Sequence, residues 1–232
     1  MTQLIREIAF DTETTGLNPN DGDRVIEIGA VEMINHIPTG KTFHTRINPR
    51  RSVSEATIRI TGLTDDHLKD APFFEEEHVV GAFMEFIGDA TLVAHNAGFD
   101  RGFLNMELAL CGRDPVPDDR WLDTAALARK KYPGAPASLD ALCKRFDISL
   151  ESRTLHGALL DSQLLASVYL ELLGGRARAF SFDAPETELA AGERRTARQR
   201  PRKLPPLITE SEKAAHAAFI ETLGPDCLWK QA

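Results

Sequence analysis

The sequence has few cysteines and lacks any apolar run long enough to cross a bilayer. Its three cysteines, Cys111, Cys143 and Cys227, are odd in number, widely spaced and not in a Cys-x-x-Cys pair, so they indicate neither a disulfide framework nor a zinc site. The first seven residues carry charges within a short apolar stretch, unlike the apolar core of a signal peptide. We therefore expect a cytoplasmic protein with buried or idle thiols.

The chain also lacks an excess of positive charge. It contains 27 Lys and Arg residues and 35 Asp and Glu residues, which gives a formal net charge of −8. Affinity for nucleic acid comes mainly from cations that neutralise phosphates. The composition therefore leaves two interpretations: a protein that does not bind nucleic acid, or one that uses metal ions at a small site and is brought to its substrate by a partner.

The order of the predicted elements indicates an α/β fold. A length of 232 residues with 42% hydrophobic content suits one domain of about 170 residues with an appendage. Short β-branched stretches predict three consecutive antiparallel strands at 4–10, 24–31 and 41–47. A further strand is predicted at 91–94, with helices near 75–87, 100–112, 138–146 and 158–173. Strands first and strand–helix alternation afterwards favour a mixed sheet flanked by helices.

The composition changes after Gly175. Residues 183–193 contain four acidic residues and no basic one, whereas 194–203 is rich in arginine, a segregation typical of a flexible linker. Thr209 and Glu212 then have capping-box spacing before an Ala-rich run that contains Phe219, Ile220 and Leu223. The sequence thus predicts a domain over 1–173, a linker over 174–205 and a C-terminal segment over 206–232.

A pair of carboxylates marks the end of the first strand. Side chains at positions i and i+2 of a strand point the same way, so Asp11 and Glu13 project together while Phe10 and Thr12 take the other face. Two adjacent anions repel each other unless a cation lies between them, and oxygen ligands favour Mg²⁺ or Mn²⁺ over zinc. The alternative is a solvated strand end.

Two later motifs add acids beside predicted helices. Asp100 follows the strand 91–94 and opens a helix, where an acid is commonly only an N-cap or a partner of the helix dipole. Asp161 heads the apolar row of the last long helix, and burying it there is costly unless a cation compensates. His156 precedes this helix in a loop, from which it could approach a substrate.

Together, Asp11-x-Glu13, Asp100 and His156-x₄-Asp161 resemble the DEDDh 3′→5′ exonucleases over about residues 4–173. The resemblance implies a ribonuclease H-like fold with a mixed five-stranded sheet and a flexible C-terminal extension. It also implies two divalent cations held by the four acids, with His156 as the general base that takes a proton from the attacking water. Similar enzymes release nucleoside 5′-monophosphates from a 3′ end.

The same resemblance implies residues that bind the terminal nucleotide, in addition to Asp11, Glu13 and Asp161. Thr15 would grip that nucleotide and Leu17 would wedge against its base. The others are Glu55, Thr61, His95, Asn96 and Phe99. Glu55-Ala56 stands where the family often has Glu-Ala, but Thr61 replaces the histidine that often follows and the spacing is one residue longer. The contacts of Glu55 and Thr61 therefore depart from the family pattern.

The C-terminal segment resembles that of the proofreading epsilon subunits of bacterial DNA polymerase III. This likeness implies that 206–232 binds the polymerase alpha subunit, that 174–182 binds the sliding clamp, and that a small theta-like subunit is a further partner. Arg176 replaces the glutamine that usually begins the clamp motif. Two alternatives remain open: a stand-alone exonuclease or exoribonuclease, and a catalytically silent replisome adaptor. An inert terminal helix folded onto its own domain is the alternative for the tail.

Overall fold

A computed structural model of the protein describes residues 4–150, 155–175 and 208–222. The chain divides into two units, residues 1–182 and 183–232. Within the first unit, five strands form one mixed sheet in the order β3-β2-β1-β4-β5. The strands are β1 (Arg6–Thr14), β2 (Val25–Ile34), β3 (Ile37–Arg46), β4 (Thr91–Ala94) and β5 (Trp121–Asp123). The first three pair antiparallel, as predicted, whereas β4 and β5 continue the sheet in parallel with β1.

Helices cover both faces of this sheet. Those of the first unit are α1 (Glu55–Thr61), α2 (Asp65–Leu68), α3 (Glu77–Ile87), α4 (Ala97–Leu110), α5 (Thr124–Lys131), α6 (Leu139–Arg145) and α7 (Ala158–Leu172). Apolar side chains on one face, including Ile8 and Phe10, pack against α3 and α4. Ala9 and Val31 on the opposite face pack against α7. The predicted α/β fold with a five-stranded mixed sheet is confirmed.

The structure adds elements that the sequence patterns did not predict. Strand β1 runs on to Thr14, and α1, α2, β5 and α5 were not assigned. Each of these four elements is short, with at most eight residues, so periodicity over one or two turns gives little signal. The long helices and strand β4 fall where they were predicted.

In the second unit, residues 210–222 form helix α8 (Glu210–Thr222). The predicted capping box is present: the Thr209 backbone N–H donates to Glu212 Oε2 at 2.8 Å, and the Glu212 N–H donates to Thr209 Oγ1 at 3.3 Å. Phe219 is 59% exposed on this helix. Most of the predicted linker and clamp-binding segment lies outside the described residues, as does the end of the tail from 223 on.

Across the described residues, no helix is both long and apolar enough to pass through a membrane.

Candidate active site

The carboxyl ends of three parallel strands meet at one edge of the sheet, and a cavity opens there. Strand β1 delivers Asp11 and Glu13 near its end, while β4 ends one residue before His95. Open α/β sheets characteristically bind ligands at the carboxyl ends of their strands. The cavity is lined by Asp11, Thr12, Glu13, His95, Asn96, Phe99, Asp100, Leu139, His156 and Asp161. All five predicted catalytic residues therefore face one cavity.

Strand register explains why Asp11 and Glu13 share a face with helix α7. Asp11 is directly opposite Gly29 on β2, and Glu13 is opposite Glu27. Opposed residues in a ladder project from the same face, so these four positions form one patch. The alternation predicted for Asp11 and Glu13 against Phe10 and Thr12 is confirmed by burial, since Phe10 and Thr12 are buried and the two acids are half-buried.

Gly29 allows the start of α7 to lie directly on this patch. A Cβ atom placed on Gly29 would lie 2.1 Å from the carbonyl carbon of Ala158, closer than any stable contact. The Ser162 hydroxyl donates to the Gly29 carbonyl oxygen at 2.8 Å and fixes the approach. Asp161, in the first turn of α7, is thereby held beside the carboxylates of β1.

Glu13, His156 and Asp161 form a compact set of potential metal ligands. One ligand atom from each lies within 4.8 Å of the other two, and His156 Nδ1 is 3.2 Å from Asp161 Oδ2. Asp161 is only 3% exposed, whereas the His156 side chain is 47% exposed. A buried carboxylate beside a second acid needs a compensating cation. The donor set, rich in carboxylate oxygen, fits a hard divalent ion.

Asp100 reaches the cavity from the other face of the sheet, through helix α4. It is 3% exposed, and its Oδ1 accepts hydrogen bonds from the Thr12 backbone N–H at 3.0 Å and the Thr12 hydroxyl at 2.8 Å. Burial raises the pKa of Asp100 to about 7 against the opposing effect of these hydrogen bonds. The N-cap interpretation of Asp100 is wrong, because Asn96 occupies the N-cap.

His95, Asn96 and Phe99 also line the cavity, as predicted from the resemblance. Asn96 has a left-handed backbone (φ 69°), and its N–H donates to Asp123 Oδ1 at 3.2 Å. His95 Nδ1 lies 2.9 Å from the Thr124 hydroxyl, and burial lowers the pKa of its imidazole. A neutral imidazole at this wall can donate or accept a hydrogen bond.

The structure does not bring the remaining predicted substrate contacts into the cavity wall. The Thr15 hydroxyl donates to Asp23 Oδ1 at 3.1 Å. The hydroxyl of Thr61 donates to the Thr57 carbonyl at 3.0 Å inside α1. Leu17 is 85% exposed, and Glu55 is exposed as well. The contacts of these four residues to a nucleotide stay predictions. The exposure of Leu17 is compatible with its predicted role as a wedge.

Three residues with a part in the site were missed in the sequence. Thr12 holds Asp100, Leu139 lines the cavity, and Glu27 caps helix α7. Glu27 Oε2 accepts the Ala158 N–H at 2.8 Å, and its Oε1 lies 3.0 Å from His44 Nε2. The sequence signal that could have identified Glu27 is its place within the apolar strand β2, because an acid buried there needs a polar partner.

Replacing Glu27 by glutamine is expected to lower kcat about five-fold with little change in KM, because the first turn of α7 positions both His156 and Asp161. The amide oxygen can still accept from Ala158, but the anion at the helix N-terminus is lost, at a cost of about 1 kcal/mol in the free energy of unfolding. Steady-state kinetics and thermal unfolding of the variant would measure both effects.

Glu32→Gln is the matched control for this variant. Glu32 is also a buried acid of β2, but it pairs with Arg6 rather than with α7. It should lose stability without the kcat effect. Equal kcat losses in the two variants would show that Glu27 acts only through general stability.

Comparison with known proteins agrees with this geometry. An exonuclease family matches residues 8–169 of the chain. The DNA polymerase III subunit epsilon of Escherichia coli is 42% identical over 243 aligned positions that span 99% of each chain. This chain belongs to the epsilon-subunit family of DNA polymerase III. The Rickettsia conorii epsilon subunit is 49% identical over 179 residues, covering 76% of this chain and 77% of its own.

Solved structures show the same fold. Exonuclease X in complex with 5′-overhanging duplex DNA superposes with a TM-score of 0.56 at 26% identity, covering 75% of this chain and 93% of that one. The nuclease domain of 3′hExo, a DEDDh family member bound to rAMP, gives a TM-score of 0.63 at 20% identity, covering 75% and 94%. The predicted exonuclease function and epsilon relationship are confirmed. Divalent-metal dependence is general for this exonuclease family, and the donor set fits it.

Proposed function

We propose that this member of the epsilon family removes mispaired 3′-terminal nucleotides as 5′-monophosphates while attached to a DNA polymerase. The observation that carries the proposal is the convergence of four carboxylates and one exposed imidazole on a single cavity. Four of the ten lining residues are acidic and none is Lys or Arg, which suits metal-assisted attack on a phosphodiester and does not suit direct binding of a polyanion.

We propose two divalent cations, Mg²⁺ or Mn²⁺, as the cofactors. Asp11 would hold both ions, Glu13 and Asp161 one of them, and Asp100 the other. Such ions, when bound, lower the pKa of a coordinated water and neutralise charge at the scissile phosphate. The near-complete burial of Asp100 and Asp161 supports this assignment, because burial without a cation disfavours the ionised carboxylates.

His156 is proposed as the general base that accepts the proton of the attacking water at a ring nitrogen. Imidazole is the side chain that most often serves as a general base near neutral pH. The side chain is about half exposed at the cavity mouth, while its backbone N–H donates to the Ile60 carbonyl oxygen at 3.1 Å. An anchored main chain with an accessible imidazole suits a residue that exchanges protons with water.

The proposed partners are DNA and the subunits of DNA polymerase III. Residues 1–173 would carry the catalysis, and 206–232 would bind the alpha subunit through α8 and the segment after it. Exposed Phe219 on a capped helix suits a groove on a larger partner. The linker would be 174–205, and its first part, 174–182, would bind the sliding clamp. A small theta-like subunit would be a further partner. Tethering would supply the DNA affinity that an acidic chain lacks.

A coupled assay separates a proofreading subunit from a stand-alone nuclease and from a silent adaptor. The full chain and a 1–205 truncation would each be mixed with the polymerase, Mg²⁺ and a primer with a mispaired, labelled 3′ end. We expect both to release 5′-mononucleotides, but only the full chain to gain at least about 100-fold from the polymerase, as tethering predicts.

The other outcomes contradict the proposal in different ways. Equal stimulation of both forms would favour a stand-alone exonuclease whose tail has no role. No release from a well-folded full chain would favour the adaptor. Matched release on RNA and DNA primers would favour an exoribonuclease.

A further inference from the structure

A second cavity adjoins the active site along the loop between α5 and α6. It has a volume of about 850 Å³, within the range of clefts that bury small ligands, roughly 300–1,000 Å³. His95 and Asn96 line both this groove and the active-site cavity. The two cavities are therefore neighbours that meet at His95 and Asn96. We name this second cavity the α5–α6 groove.

Arg129 is the cation of this groove. It lies in the last turn of α5, its side chain is exposed, and it lines the groove. No carboxylate among residues 4–150, 155–175 and 208–222 forms an ion pair with it. Most other described arginines do have such a partner, as Arg24 has Glu107 at 2.7 Å. In a protein with net charge −8, an arginine without an acid beside the active cavity is a position where an external anion can bind.

The position of Arg129 connects it with the site electrostatically. Its charge opposes protonation of His95, a wall residue that the two cavities share. The rest of the groove wall is mostly small or apolar, with Ala125, Pro133 and Ala137. Among the described residues, no Phe, Tyr or Trp lines the groove, and its one ring is the His95 imidazole at the boundary with the active-site cavity, so the wall around Arg129 has no large ring on which a base could stack. Backbone phosphate is therefore the group that this wall suits.

We propose that the α5–α6 groove holds the single-stranded DNA segment just upstream of the 3′-terminal nucleotide, with Arg129 contacting a backbone phosphate. The inference deepens the proposed exonuclease function and rests on it. A guanidinium that binds phosphate without base readout gives affinity that does not depend on sequence. This property suits an enzyme that must accept any primer end.

Arg129 also has a purely structural explanation. A cation in the last turn of a helix stabilises the helix dipole. This explanation predicts a small change in thermal stability that is independent of the substrate. The proposal instead predicts an effect that grows with substrate length, because only a strand with upstream phosphates reaches the groove.

The test is equilibrium binding by Arg129→Ala, with Lys130→Ala as the matched control. Lys130 is the next residue of α5, is exposed as well, and does not line the groove. Binding would be measured with Mg²⁺ by fluorescence anisotropy of labelled dT8, and by displacement with thymidine 5′-monophosphate. An Asp161→Asn background prevents cleavage. We expect the Kd of dT8 to rise about ten-fold in Arg129→Ala, as for one charge-assisted hydrogen bond.

Two further results are expected together with this ten-fold loss of dT8 affinity. The Kd of the mononucleotide should stay within about two-fold, and the slope of log Kd against log salt for dT8 should fall by about one. Arg129→Lys should recover part of the affinity, whereas Lys130→Ala should resemble the parent protein for both ligands.

Equal losses for dT8 and the mononucleotide, or no loss for either, would overturn the groove proposal. This readout is independent of turnover. If the natural chain binds dT8 through Arg129 but releases no nucleotide from a primer, the groove stands and the proposed exonuclease function fails.

Discussion

Asp161→Asn should lower kcat by at least about a thousand-fold while the protein stays folded. The substitution keeps the shape of the side chain and removes the charge that would hold a divalent ion, and loss of such electrostatic stabilisation typically costs several kcal/mol in the barrier. Asp161 is nearly buried and close to Glu13. Removing one of two adjacent anions should leave the metal-free melting temperature unchanged or slightly raised.

Nucleotide release from a labelled 3′ end, with thermal unfolding in parallel, measures both parts of this expectation. Glu171→Gln is the control, since Glu171 lies on the same helix at the end remote from the cavity. Glu171→Gln should release nucleotides at the rate of the unsubstituted protein. A kcat within ten-fold of the natural protein in Asp161→Asn would remove Asp161 from the metal site. Loss of polymerase binding in this variant would contradict the assignment of that binding to the tail.

Gly29→Ala should lower the free energy of unfolding by about 3 kcal/mol and also impair catalysis. The new Cβ would meet the Ala158 backbone at 2.1 Å, and a backbone contact cannot be relieved by a rotamer change. Overpacking of this kind costs about 1–3 kcal/mol or more, a fall of roughly 10 °C in the melting temperature of a domain this size. The alternative is a shift of α7, which would carry Asp161 away from Glu13.

Gly102→Ala is the matched control for the glycine substitution. Gly102 lies in α4 without a strained backbone angle, and its Cβ would meet only Pro19 at 3.9 Å. Alanine should stabilise that helix by about 0.5–1 kcal/mol. Thermal melts and kcat of the two variants would be compared. If the melting temperature of Gly29→Ala equalled that of the unsubstituted protein, the close approach of α7 to β2 would not be required.

The parts of the site that follow local periodicity could be predicted from the sequence. The strand period of two places Asp11 and Glu13 together, and the helical period places Asp161 at the head of a buried row with Leu164, Leu165 and Val168. Burial of all four α7 positions agrees with that row. The fold class followed from the order of strands and helices for the same reason.

The parts that depend on contacts between distant segments could not be predicted. Asp100 is 88 residues from Thr12, and Glu27 is 131 residues from Ala158. The first pairing depends on which sheet face α4 covers, and the second on the register of β2 against β1. The sequence of a single helix or strand does not determine either contact. For this reason Asp100 could also be interpreted as an N-cap, and Glu27 was not identified as a site residue.

The placement of Asp100 and Asp161 on opposite layers has a consequence for the newly made protein. Asp100 arrives with α4 on one face of the sheet, and Asp161 arrives with α7 on the other. Under the proposed metal site, a partly folded chain with either layer undocked would lack one of the carboxylates and would not degrade DNA. Ions that bound only the completed set would stabilise the packing of both layers on the sheet by mass action. The proposed site would therefore confine nuclease activity to chains that have finished folding.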